Sequence, residues 1–145
     1  MGRVLTGNDA DSVRAANLRT VEAFFDPAQQ GRRLELFADD GVKEIPFAPR
    51  LVEPSAWRGR EELERNAAEN AARFAGIAHL DVRIFPSADP NELWATSRMG
   101  PEATFHGRPY RQEFVRYFRL ENGRIKLWRE YFNSSVLLEA IQEGT

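Results

Sequence analysis

Cysteine is absent from this chain of 145 residues, which excludes disulfides, thiolate catalysis and cysteine-ligated zinc. Histidine is scarce: His79 and His106 are far apart and lack metal-ligand spacing with a carboxylate cluster, so no metal is expected. No run approaches the ~20 apolar residues of a membrane span. The stretch "MGRVLTGNDADS" has no apolar signal-peptide core, so the expectation is a cytoplasmic protein with no membrane partner. An excess of one charge is also missing. The net charge is −2 and arginines alternate with acids, so no basic stripe argues for nucleic acid. Gly100, Gly107 and Gly123 are isolated turn glycines and no nucleophile elbow is present, so neither a dinucleotide site nor a serine hydrolase is implied.

Hydrophobic residues make up 42% and charged residues 29%, the balance of a globular protein long enough to bury a core. Residues 1–145 read as one domain, since no linker, repeat or low-complexity tract divides them. The first third is helical. "NDADSVRAANLRTVEAFFD" opens with cap-competent Asp9, Asp11 and Ser12, repeats apolar residues at helical spacing through Phe24 and Phe25, and stops before Pro27. "QQGRRLELFADDG" predicts a shorter helix with Leu34 and Phe37 inward and Gly41 at a left-handed exit. "VKEIPF" predicts a short strand that Pro46 confines to an edge, and Pro49 and Pro54 make the next stretch a loop. "GREELERNAAENAARFAG" predicts a long helix with Leu63, Asn66, Ala67, Asn70, Ala71 and Phe74 on its inward stripe. Two asparagines on that stripe are unusual, because a buried amide costs free energy unless it finds partners.

From residue 78 the period switches to two, and "HLDVRIF", "ELWATSRM", "YRQEFVRYFRL" and "RIKLWREYF" read as successive antiparallel strands. Helices first and a long sheet afterwards make an α+β domain. Asn122-Gly123 signals a type I′ hairpin turn, whose central residues both need positive φ. That turn sets a register with Leu120 opposite Ile125, Phe118 opposite Leu127, Arg116 opposite Arg129 and Phe114 opposite Tyr131 on a mostly apolar face. The other face then pairs Tyr117 with Trp128 and Val115 with Glu130; a one-residue bulge would exchange the faces beyond it. Both faces carry apolar area, enough for helices on one and a second subunit on the other.

Glu130 lies between aromatic residues in "KLWREYF". Such a carboxylate is either ion-paired, with Arg129, Arg116 or Arg111 as candidates, or a proton carrier whose pKa burial has raised.

"RTVEAFF", "GREELERNAAE", "IFPSADPNELWA" and "FRLENGRIKLWREYFN" together resemble the PhzA/PhzB branch of the NTF2-like (SnoaL-like) superfamily over residues 17–136. The resemblance implies a cone: N-terminal helices on a curved, mostly antiparallel sheet, enclosing an apolar pocket in a small homodimer. It implies cofactor-free acid/base condensation of amino-ketone carboxylic acids into a phenazine precursor. The ligand implied is small, flat and carboxylated or carbonyl-bearing. The family's acid/base glutamate on the last strand falls on Glu130, and a tyrosine before the long strand falls on Tyr110. The family's catalytic histidine falls on Asn66, with Asn70 at a neighbouring polar position. Amides on an apolar stripe make sense if the stripe lines a cavity, so Asn66, Asn70, Tyr110 and Trp128 are assigned to ligand binding. Asparagine cannot carry protons near neutrality as histidine does. A SnoaL-like cyclase, isomerase or dehydratase, and a non-catalytic binding subunit, are the alternatives.

Overall fold

A computed structural model describes residues 7–143. Helix α1 (Gly7–Phe25) leads into a 3-10 helix over Pro27–Leu36, then strands β1 (Phe37–Glu44) and β2 (Ala56–Arg58). Helix α2 (Gly59–Arg73) follows, then β3 (Phe74–Ala75), β4 (His79–Pro86), β5 (Glu92–Met99), β6 (Thr104–Phe105), β7 (Arg108–Pro109), β8 (Glu113–Glu121), β9 (Arg124–Phe132) and helix α3 (Ser134–Glu143). The main sheet has six strands in the order β2-β1-β9-β8-β5-β4, and β3-β6-β7 form a small second sheet. Among the described residues only β1 with β9 is parallel in the main sheet, so the fold is the expected α+β arrangement of helices on a curved, mostly antiparallel sheet.

α1 covers the inner sheet face because Val21, Phe24 and Phe25 project from one side of it. The Phe24 ring meets Phe118 and Trp128 edge-on at 5.0 and 4.9 Å, geometries that add to the burial of the rings themselves. Two polar fasteners fix its pitch: buried Asn17 donates to Pro90 O at 2.8 Å, and Thr20 Oγ1 donates to Gly123 O at 2.9 Å. Asp9, Asp11 and Ser12 lie inside α1 rather than capping it.

Two early elements differ from the sequence reading. The segment after Pro27 is a 3-10 helix that ends at Leu36, because Phe37 already pairs with Ile125 of β9. Leu34 and Phe37 do face the core, but Gly41 lies within β1, without positive φ. A Cβ there would come within 3.0–3.1 Å of the Ala38 and Ile125 carbonyl oxygens, so close strand approach rather than a left-handed turn requires glycine. The strand containing "VKE" is thus interior, flanked by β2 and β9, with Pro46 beyond its end and β2 at the edge.

The hairpin turn is as expected, with Asn122 at φ 51° and Gly123 at φ 76°. The register beyond it is not. Leu120 pairs with Ile125, but Arg119 then pairs with Leu127, so Lys126 is an extra residue and the faces exchange. Phe118 consequently faces Trp128, Arg116 faces Glu130, and Phe114 faces Phe132. Ala95, Arg116 and Glu130 form one inward row across β5, β8 and β9.

Candidate functional site

The inward rows of the sheet, α2, the 3-10 helix and α3 enclose a cavity of about 690 Å³. Glu130, Asn66, Asn70, Tyr110 and Trp128 all line it. α2 stands off the sheet across this space: Leu63 and Asn66 are buried, Asn70 is half-buried, and Ala67 and Ala71 border the opening. Phe74, expected on the same stripe, has left the helix for β3.

Glu130 is ion-paired. Arg116 Nε donates to Glu130 Oε1 at 2.8 Å, and Arg116 Nη1 donates to Ser97 Oγ at 2.7 Å. The pair is secluded, with 3% of the arginine and 12% of the glutamate side chain exposed. The Arg116 guanidinium also lies 4.2 Å from the centre of the Phe114 ring. Burial pushes the Glu130 carboxyl up, but the charges of Arg116, Lys43 and Arg33 and the hydrogen bond from Arg116 outweigh it. The carboxyl is held below its ordinary value, the reverse of the raised pKa that its apolar neighbours suggest.

Lys43 is the second polar element of the floor. Its Nζ donates to Asn66 Oδ1 at 2.7 Å and lies 4.5 Å from the Trp128 ring centre and 5.1 Å from that of Trp57. Burial pushes the amine down to about 8; Glu130 opposes this, while Arg33 and Arg116 add to it. Arg33 stacks over Phe24 at 4.5 Å and over Trp128 at 5.0 Å, and burial, with Arg116, lowers its guanidinium to about 10. Three cationic side chains therefore surround one carboxylate in a largely aromatic floor. Exposed Glu53 and the Glu69–Arg73 pair lie at the rim.

Two lining groups have unmet polar atoms. Among the described residues, Trp128 Nε1 and His79 Nδ1 are buried without a hydrogen-bond partner. Burial, with Arg116 and Arg33, takes His79 down to about 3, so the imidazole is neutral. Tyr110 accepts from Gln112 Nε2 at 3.0 Å, and burial pushes its phenol up to about 12. No cluster of three His, Cys, Asp or Glu side chains among the described residues is placed to hold a metal ion.

Sequence reasoning missed Arg33, Lys43 and α3 as parts of the site. A signal for Lys43 exists: in "GVKEI", Gly41, Lys43 and Ile45 share the inward parity. α3 is signalled by Asn133, whose Oδ1 accepts from Ser135 N at 3.0 Å, ahead of the apolar run that brings Leu137 and Ile141 to the cavity.

The family model for phenazine biosynthesis protein A/B matches residues 3–143. Over 138 residues the chain is 31% identical to phenazine biosynthesis protein PhzB1 of Pseudomonas aeruginosa, covering 92% of this chain and 85% of that one. The crystal structure of a phenazine biosynthesis-related protein (phzb2) from the same species is similar at TM-score 0.79 and 26% identity, covering 94% of this chain and 92% of that one. An NTF2-like protein from Burkholderia xenovorans shares the fold at TM-score 0.70 and 19% identity, covering 87% of this chain and 95% of that one. With an NTF2-like fold and a family match over nearly its whole length, this chain belongs to the phenazine biosynthesis protein A/B family.

Proposed function

We propose that this protein is a cofactor-free acid/base enzyme that takes a small, flat ligand bearing a carboxylate and a carbonyl. The reaction proposed is condensation of amino-ketone carboxylic acids into a phenazine precursor, as the family membership suggests. The observation that carries this reading is the surplus of positive charge: half-buried Arg33 and buried Lys43 and Arg116 against Glu130 alone on the cavity floor. An anionic ligand offsets that surplus, and the aromatic walls suit a flat one.

The same charge balance gives Glu130 a way to act. The surrounding cations hold its proton off. A ligand carboxylate that engages Arg116 and Arg33 compensates those cations, and the Glu130 carboxyl then rises toward the range in which it takes and returns a proton. Trp128 Nε1 offers an unused donor for a ligand oxygen, while Asn66, Asn70 and the neutral Tyr110 hydroxyl orient the ligand.

A second copy of the chain belongs on the outer sheet face in this reading. Phe85, Trp94 and Val115 are exposed there, and Trp94 stacks on Tyr131 at 6.4 Å.

Calorimetry with 2-naphthoate and its uncharged amide tests the ligand class. The acid is expected to bind at least ~10-fold more tightly, a difference of about 1.4 kcal/mol; equal affinity sinks the reading. Glu130→Gln is expected to abolish turnover of an amino-ketone carboxylic acid while binding persists, and unchanged turnover removes Glu130 from the mechanism. The tight Arg116–Glu130 pair and Asn66 at the family's histidine position support a second reading, a binding subunit without catalysis. Naphthoate binding with no rate gain over buffer selects it.

A further inference from the structure

We propose that Lys43 is a covalent carbonyl-binding site, its amine condensing with the ketone of a bound keto acid to form an imine. The proposal deepens the reading of the cavity as a carboxylate-binding pocket by naming a second reacting group in it.

Lys43 is placed for such a role. It projects inward from an interior strand, with 5% of its surface exposed, and lines the cavity. Its hydrogen-bond partner is the neutral Asn66 amide, not a carboxylate. The charged groups that face it are Arg33 on the 3-10 helix, Arg116 on β8 and Glu130 on β9. Burial and the two guanidiniums outweigh Glu130 and bring the amine to about 8, so an appreciable fraction is unprotonated near neutral pH. Asn66 Oδ1 occupies one N–H of that neutral amine and leaves its lone pair for a carbonyl carbon. Lys43 and Arg33 both lie over the Trp128 ring, so one small ligand reaches a carboxylate clamp and an amine together.

The chemistry balances without a cofactor. The amine lone pair forms the C–N bond, and the carbonyl π pair becomes the hydroxyl of a carbinolamine. Loss of that hydroxyl as water, with uptake of one proton overall, leaves a protonated imine. The imine activates the carbon for attack by a second amine, which releases Lys43 again.

The chain contains only two lysines, and the other is an internal control. Lys126 is paired with Asp40 on the outside, and that hydrogen bond raises its pKa. The full chain is incubated with levulinate, a keto acid, and cyanoborohydride, which reduces any imine to a stable amine. Peptide mapping by mass spectrometry then gives the rate at each lysine and at the terminal amine. Lys43 is expected to label at least about tenfold faster than Lys126, and 2-naphthoate is expected to suppress labelling at Lys43 alone. In Lys43→Met the fast adduct disappears. No adduct at Lys43, or labelling that merely tracks Lys126, overturns the proposal even if the variant fails to fold, because the wild-type map decides it. Naphthoate binding without a Lys43 adduct sinks this inference and leaves the ligand class standing. A Lys43 adduct in a protein that binds acid and amide equally supports this inference and sinks that reading.

Discussion

Replacing Glu130 by glutamine keeps the shape of the cavity floor and removes its compensating charge, leaving Arg116, Lys43 and Arg33 facing one another. Removing one partner of a buried ion pair costs about 3–5 kcal/mol. Part of Glu130 opens into the cavity, its side chain being 12% exposed, so the lower end applies, about 3 kcal/mol. At roughly 3 °C per kcal/mol for a chain of this size, the melting midpoint of Glu130→Gln falls by ~10 °C at pH 7. The pH dependence has a definite sign. The folded carboxyl lies below its unfolded value, so its stabilisation is fully present above the unfolded pKa and is lost as pH falls through the folded one. Thermal unfolding of wild type and variant between pH 3 and pH 8 should therefore show a gap that is constant above about pH 5 and closes in acid. 2-Naphthoate should raise the variant's midpoint more than the wild type's, because its carboxylate replaces the missing anion. Equal midpoints at pH 7, or a gap that ignores pH, would falsify the charge-compensation argument.

Three further outcomes are expected. Lys43→Met removes a buried amine whose folded pKa is about 8 against an ordinary 10.5, so the variant gains up to about 3 kcal/mol at neutral pH. The variant's advantage over wild type should accordingly shrink as pH rises from 8 to 10.5, as urea unfolding will show. Phe24→Ala empties the centre of the cluster made with Phe118 and Trp128 and should cost about 3–5 kcal/mol in the same assay; a loss under 1 kcal/mol contradicts its central place. Val115→Asp puts a charge on an outer-face position that is 40% exposed, so the fold should tolerate it while sedimentation shows half the wild-type mass. An unchanged mass removes that face from the proposed dimer.

The helices α1 and α2 and the strands after residue 78 were legible because each carries its own period over many residues. The start of β1 was not, because Phe37 joins the sheet only by pairing with Ile125, far along the chain. The bulge at Lys126 was equally silent: nothing in "GRIKLW" marks one residue as extra. Asn66, Asn70, Tyr110, Trp128 and Glu130 do line one cavity, and parity had put Arg116 on an apolar face. What sequence could not supply was the sign of the Glu130 shift, which depends on cations from three other elements. Arg33 and Lys43 look like ordinary surface charges until the fold brings them together.

The extra residue at Lys126 makes the identity of the pocket a matter of counting. Close the bulge without losing a residue, so that Lys126 pairs with Arg119, and every inward side chain of β9 beyond it changes places with its outward neighbour. Trp128, Glu130 and Phe132 would turn to the outer face, and Leu127, Arg129 and Tyr131 would turn inward. A cavity with a compensated charge would become one with unpaired arginines, although no residue had changed. Within the family, a relative one residue shorter at this turn is therefore compared face for face only when the gap falls on the bulge at Lys126.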